Sequence, residues 1–284
     1  MFKKVQQKKH NKRRAFICVL AAMALLVAST GLAGCSSASG STPTGSSTLR
    51  VGVRANVTMF GYYNTSAGTY SGLEIDIAQE MAERLGYKDV EFFAVTPATR
   101  SEALNSGEVD CLVACCSITS DRTGEIDFSP AYYEDNSVAM VQYSSCFLSV
   151  RDMVGCTFGT ITNSNTTDEL IAKLKAIGFT DGEIRSTNER GTYLELDNFN
   201  IQEMNTYQEL SDALDVGTID AMCADGAIMN AYLDDTRRLL NFYIASQEYG
   251  VATVKGSALS DPVAETIQEM LDDGTIDDLI DKWD

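Results

Sequence analysis

Eight residues recur once along the chain, 110 positions apart. Ala103-Leu104-x-x-Gly107-x-Val109-Asp110 returns as Ala213-Leu214-x-x-Gly217-x-Ile219-Asp220, and both copies run on to an alanine, Ala114 and Ala224. Each copy reads as the end of a helix, a glycine stop and the entry to a buried strand. A chain that builds the same helix–strand unit twice, so far apart, is expected to form two lobes of like construction. From Leu49 onward 236 residues remain, enough for two lobes of about 100 residues each. The register also pairs Cys115 of the first copy with Asp225 of the second. Both follow an apolar run, at the carboxyl end of a strand, where open α/β sheets place their ligands.

The first run, Cys111 to Cys116, is almost continuously apolar and reads as a strand covered on both faces. It breaks into Ser117, Thr119, Ser120, Asp121 and Arg122. Hydroxyls, a loop and a guanidinium at a strand end form a place to hold an anion, because arginine meets a carboxylate with two parallel hydrogen bonds. The alternative is that Arg122 pairs with Asp121 or Glu125 on a solvated loop. In the second copy, Thr162 to Thr167 leads into a helix expected over 168–177, with Thr166-x-x-Glu169 spaced as a capping box. A helix start carries free N–H groups and suits an anion, so Ser164, Asn165 and Thr166 are either helix caps or anion donors. Asp225 is either a cap for the helix after it or a carboxylate facing an ammonium.

Around these units, strands are expected over 49–53, 90–95 and 154–161. Helices are expected over 73–85, from a Thr99-x-x-Glu102 capping box to Gly107, and from Asp261-Pro262 to Gly274. Strand and helix alternate, so the fold class is α/β with mainly parallel sheets.

The amino terminus has another character. Residues 1–14 carry seven Lys or Arg and no acid, and 15–28 are apolar, which is a signal peptide too short to span a bilayer. Leu32-Ala33-Gly34-Cys35 follows, then a Ser/Thr/Gly/Pro stretch to Thr48 that reads as a tether. The expectation is a leader over 1–34, cleavage before Cys35, lipidation of Cys35 and a flexible segment over 35–48. Removing the seven cations takes the net charge from −18 to −25. Such an acidic chain is not expected to bind nucleic acid, whose phosphates need cationic partners. Export permits disulfides, but Cys111, Cys115, Cys156 and Cys223 lie in or beside strand-like runs, where thiols pack as small hydrophobes. The one histidine, His10, is in the leader, and Cys115-Cys116 lacks ligand spacing, so no metal is expected. No nucleophile–histidine pair and no GxxxxGK loop occurs, so neither an enzyme nor a cofactor is expected.

Ser117-Ile118-Thr119-x-x-Arg122 followed by Asp127-Phe128-Ser129-Pro130-x-Tyr132-Tyr133, with Gly72-Leu73-Glu74-Ile75-Asp76-Ile77-Ala78 upstream, resembles the signatures of the polar amino-acid solute-binding proteins of ABC importers. The resemblance runs from about Leu49 to Trp283. It implies a type II periplasmic-binding-protein-like fold: two Rossmann-like lobes, 49–138 with 243–284 and 139–242, joined by a two-strand hinge and closing on an amino acid. It further implies that Ser117, Thr119 and Arg122 meet the ligand, with Arg122 on its α-carboxylate. The Ser164–Thr166 helix start clamps that carboxylate from the second lobe, and Asp225 takes the α-ammonium. The family's usual Gly-Thr-Thr is Asn163-Ser164-Asn165 here. Val51-Gly52-Val53-Arg54 and Arg100 resemble the glutamate/aspartate branch, in which such arginines read a side-chain carboxylate; glutamine, cystine or another polar amino acid is the alternative, with a dehydratase-like enzyme on the same fold ranked below it. Phe60 is a candidate wall residue and Cys115 a candidate lining residue. The expected protein is a monomeric receptor outside the cytoplasm, anchored through Cys35 and partnered by a permease.

Overall fold

The computed structural model describes residues 47–283; the leader, Cys35 and most of the tether lie outside the described residues. Two mixed sheets organise the rest. The first has five strands: β1 (Thr48–Val53), β5 (Asp89–Ala94), β6 (Cys111–Val113), β7 (Ile126–Phe128) and β15 (Ala252–Val254), in the order β5-β1-β6-β15-β7. β1 is parallel to both β5 and β6, while β15 runs antiparallel between β6 and β7. The second has seven: β8 (Tyr133–Gln142), β9 (Thr157–Ile161), β10 (Ser186–Thr187), β11 (Tyr193–Glu195), β12 (Asn200–Met204), β13 (Ala221–Asp225) and β14 (Arg237–Tyr249), in the order β10-β11-β12-β9-β13-β8-β14. β9 is parallel to β12 and β13, and β8 runs antiparallel against β13. Each sheet thus has a core of three parallel strands flanked by antiparallel pairing: β15 beside β6 in the first, β8 beside β13 and β11 beside β12 in the second. A short meander of β2 (Asn56–Val57), β3 (Gly61–Asn64) and β4 (Thr69–Ser71) sits after β1.

The repeated sequence makes the same structure twice. Helix α2 (Arg100–Asn105) leads to β6, and α4 (Tyr207–Asp215) leads to β13. Gly107 and Gly217 turn the chain with φ of 74° and 72°, where a side chain would be strained. Asp110 and Asp220 then lock each strand to its neighbour. Asp110 accepts from the Arg50 N–H (2.9 Å) while its own N–H reaches the Arg50 carbonyl (2.8 Å). Asp220 accepts from the Thr157 N–H (2.8 Å) and donates to the Thr157 carbonyl (2.8 Å). Glycine and aspartate thus do the same work at the start of β6 and of β13.

Helix α1 (Leu73–Arg84) buries Leu73, Ile77, Ala78, Met81 and Ala82 against β1 and the C-terminal helices α6 (Ser260–Asp272) and α7 (Thr275–Trp283). On the second sheet, Phe158 and Phe199 meet edge-to-face at 5.5 Å above Leu170 and Leu174 of α3 (Thr166–Ala176). The chain changes sheet twice, between β7 and β8 and between β14 and β15. These two crossings are tied together: Tyr132 N–H to the Tyr249 carbonyl, Ser129 N–H to the Val251 carbonyl, and Val251 N–H to Ser129 Oγ, each 2.9 Å.

Several local expectations move. The strand expected over 154–161 starts at Thr157, because Gly155 turns the chain at φ 82° and leaves Val154 exposed. The Thr99 capping box does not form; the reciprocal exchange lies three residues upstream, between Thr96 and Thr99. Asp261-Pro262 does not start α6, which begins at Ser260 without a side-chain cap. The run ending at Cys116 is strand only to Val113, after which Cys115 adopts a positive φ of 47°. Among the described residues all six cysteines are free thiols, and Cys111, Cys115, Cys116 and Cys223 are buried. No helix among the described residues is long and apolar enough to cross a membrane.

Candidate functional site

The carboxyl ends of β1, β6 and β13 bring charged side chains from both sheets within electrostatic reach of Cys115. From the first sheet come Arg54, directly after β1, and Arg100, the first residue of α2. Both are almost fully buried, at 2% and 6% exposure, and a buried guanidinium needs acceptors. Arg100 Nη1 donates to the Ala114 and Cys115 carbonyls (3.2 and 3.0 Å). Arg54 Nη2 donates to Asn56 Oδ1 (3.0 Å), and its Nε has no partner. Neither makes an ion pair among the described residues.

Glu74, in the first turn of α1, is the acid nearest to Arg54 in kind, but it is already engaged. It is fully buried and accepts from Cys115 N–H (2.6 Å) and Tyr132 OH (2.5 Å), with Cys115 Sγ at 3.7 Å. Burial raises its pKa, against the lowering effect of those bonds and of Arg54. Cys115, the residue with the positive φ of 47°, is thus pinned to Glu74, which ties the backbone after β6 to α1.

Ser117 bridges to Tyr249, and Ile118 N–H donates to the Glu248 carbonyl (2.8 Å), so the Ser-x-Thr-x-x-Arg loop is docked on the crossing. Arg122 opens a single 3-10 turn, half-buried, with Nη1 on the Ser117 carbonyl (3.2 Å). It forms no ion pair with Asp121 or Glu125 among the described residues. Desolvation, then the nearby Arg100 charge, lowers its pKa. Arg100 and Arg122 line one cavity together with Glu125, and neither makes an ion pair among the described residues. Thr119 sits beside Asp121, whose carboxyl it holds below the usual range.

From the second sheet comes Asp225, the last residue of β13. It precedes α5 (Gly226–Asn230), but its side chain makes no cap hydrogen bond; the Ala227 N–H is taken by Asp135 (2.8 Å) instead. Asp225 is thereby free to accept from Ser137 Oγ (2.6 Å) and Tyr249 OH. Burial raises its pKa, and Arg100 acts to lower it. At the start of α3, Thr166 is inside the helix and the Thr166–Glu169 capping box is absent. Asn165 precedes the helix, and Ser164 Oγ donates back to the Ile161 carbonyl (2.7 Å). Glu169 is drawn away to accept from Asn165 Nδ2 and Gln247 Nε2, both 2.6 Å. Gln247 continues to Ser137 (3.0 Å), so one hydrogen-bonded chain links the α3 start to Asp225.

Phe60 is fully buried and packs edge-on against Tyr133 (5.0 Å) and Tyr249 (5.5 Å). Sequence reasoning missed Glu74, Ser137, Glu169, Tyr207, Gln247 and Tyr249. Tyr249 and Gln247 sit on a long strand whose pattern shows only alternation. Glu169 carried a signal, but one that spelled a cap. Among the described residues no group of acids and cysteines could hold a metal ion.

Comparison with known proteins agrees with this architecture. The family described as bacterial extracellular solute-binding proteins, family 3, matches residues 49–284. The glutamine-binding protein of Geobacillus stearothermophilus is 30% identical over 263 residues, covering 84% of this chain and 92% of that protein. The ABC transporter glutamine-binding protein GlnH of Bacillus subtilis is 29% identical over 237 residues, covering 82% and 79%. Among solved structures, an ancestral arginine-binding protein bound to arginine superposes with a TM-score of 0.69 at 26% identity, covering 84% of this chain and 98% of that one. With that family matching nearly all of the described residues, the chain belongs to the bacterial extracellular solute-binding proteins, family 3.

Proposed function

We propose that the chain is a receptor that binds an acidic amino acid between its two lobes and delivers it to an ABC importer, without chemically altering it. The observation that carries this reading is the set of three arginines, Arg54, Arg100 and Arg122, that reach one cleft with no ion pair among the described residues. Arg122 takes the α-carboxylate with Ser117, Thr119 and the Ser164–Thr166 helix start. Asp225 takes the α-ammonium. Arg54 and Arg100 face the side-chain carboxylate, Cys115 lines the floor, and Phe60 backs it. Opposite charges at the two ends of an amino acid are matched by groups from opposite lobes, so closing the hinge buries both pairs. The expected lobe bounds, 49–138 with 243–284 and 139–242, fall inside β8 and β14, so motion is expected to pivot instead on the paired crossings at 129–132 and 250–251.

A second reading, glutamine, is favoured by Glu74. If that buried carboxyl is ionised, it offsets the Arg54 charge and a neutral amide fits better than a carboxylate; two relatives are glutamine-binding proteins. The receptor acts as a monomer outside the cytoplasm, held to the membrane by lipidated Cys35; Cys35→Ala releases it into the medium, and a membrane-bound Cys35→Ala protein would refute the anchor. Incubating the protein with glutamate or glutamine and recovering the ligand by mass spectrometry tests the whole reading. One equivalent returned unchanged supports a receptor. A converted product would mean an enzyme.

A further inference from the structure

Arg54 has a neighbour that the amino-acid reading of the cleft does not use. Tyr207 is the first residue of α4, held there by a capping box in which Thr206 Oγ1 accepts from Glu209 N–H (3.1 Å) and Glu209 accepts from Thr206 N–H. The cap fixes the start of the helix, and with it the ring. Tyr207 is 6% exposed, and its ring centroid lies 5.7 Å from the Arg54 guanidinium carbon, within cation–π range. Helix α4 packs on β9, β12 and β13 of the second sheet, whereas Arg54 extends from β1 of the first. The contact therefore spans the two lobes. Tyr232 stands behind Tyr207 at 6.5 Å, tilted by 44°, and closes the far side. Tyr207 meets the guanidinium through its hydroxyl as well as its ring, Nη2 is on Asn56, and Nε is buried without a partner, so an acceptor for Nε has to come from the cleft.

We infer that Tyr207 is a specificity-determining residue of the second lobe. It holds the Arg54 guanidinium so that its unpartnered Nε serves the ligand, and the cleft selects an amino acid whose side chain ends in an oxygen acceptor. The inference rests on the reading of the cleft as an amino-acid site. A buried orphan donor is satisfied by a carbonyl or carboxylate oxygen and left unpaired by an alkyl side chain, and such a mismatch discriminates strongly.

The test is calorimetric titration of the full chain with glutamate, glutamine and norvaline, whose side chain carries no acceptor. The quantity read is the affinity for the better acceptor ligand divided by that for norvaline. Tyr207→Leu should lower this ratio roughly ten- to thirty-fold, the range of a desolvated cation–π pair, while norvaline binding stays within a few-fold. Tyr207→Phe, which keeps the ring but loses the hydroxyl on Arg54, should lower the ratio less than Tyr207→Leu. Arg54→Met should abolish the preference, and adding Tyr207→Leu to it should change nothing further, because Tyr207 acts through Arg54. If Tyr207→Leu does not fold, Tyr207→Met takes its place. A variant that weakens norvaline and the acceptor ligand equally, or leaves the ratio as in wild type, overturns the inference. So does a wild type that binds neither glutamate nor glutamine. Arg122→Ala separates the two levels: it should weaken all three ligands. Loss of binding there with an unmoved ratio in Tyr207→Leu refutes only the role of Tyr207, whereas full binding by Arg122→Ala refutes the cleft assignment beneath it.

Discussion

Replacing Asp225 by asparagine removes one charge and almost no volume. In the wild type both carboxylate oxygens accept, one from Ser137 Oγ at 2.6 Å and the other from Tyr249 OH. The amide keeps one acceptor; its NH2 faces the other hydroxyl, which can rotate to accept. The internal bonds therefore survive, and the fold should lose little. In the proposed complex the ligand ammonium, by contrast, loses the carboxylate assigned to it and is left beside Arg100 and Arg54. Truncating one member of a buried, hydrogen-bonded charge pair costs about 2–5 kcal/mol, a loss of roughly thirty-fold to several thousand-fold in affinity. An exposed pair would be worth about 0–1 kcal/mol. Titration calorimetry with the tightest-binding amino acid, alongside a thermal melt, separates the two ranges. The expected result is an unfolding midpoint close to wild type with binding weakened at least thirty-fold. Binding within a few-fold of wild type would refute the assignment of Asp225 and return it to a mere helix start.

The same magnitude applies on the other lobe. Arg122→Ala should lose about 2–5 kcal/mol of binding, and Arg122→Lys should also bind weakly because a point charge cannot reproduce the fork; retained affinity in either variant, measured by the same titration, makes Arg122 a surface residue. Glu169, raised to about 7 chiefly by desolvation and faced by Arg122, Asp225, Asn165 and Gln247, holds its proton more tightly folded than unfolded. Its stabilising contribution is therefore full below its ordinary value near 4.5 and is lost as pH rises through about 7. The stability of wild type relative to Glu169→Gln should fall over that interval in chemical denaturation, and a flat difference would contradict the burial of this carboxyl. At the crossing, a Cβ on Gly250 would meet Ile118 Cδ1 at 2.9 Å and the Ser129 carbonyl oxygen at 3.1 Å. Gly250→Ala should therefore destabilise by about 1–3 kcal/mol, read from denaturant midpoints, with no loss expected if the crossing is loosely packed.

The lobes were legible because each is announced by the same short grammar: an apolar helix end, a glycine at positive φ, an aspartate and a buried strand. Gly107 with Asp110 and Gly217 with Asp220 do the same mechanical work in both sheets, so the repeat foretold two of a kind. The caps were misread. Thr166-x-x-Glu169 has the right spacing, yet Glu169 is satisfied by Asn165 and by Gln247 from a strand 78 residues away in sequence, and no local pattern reveals a partner so distant. Asp225 fits a cap equally well in sequence; that Asp135 takes the Ala227 N–H instead is a tertiary fact. Glu74 was visible only as part of a signature. Its buried bonds to Cys115 and Tyr132 depend on the backbone kink after β6, which the apolar run up to Cys116 conceals. Tyr207 looked like one more aromatic at a helix start until the folding of the second lobe set it on Arg54.

Calorimetric titration of the wild-type chain with each of the twenty amino acids and cystine addresses the central claim most directly. The account predicts one site per chain, tightest for glutamate or aspartate, with glutamine next and lysine and arginine weak, because three arginines with no ion pair among the described residues meet the ligand. Tightest binding of a basic amino acid, or no binding by any member of the panel, would contradict it.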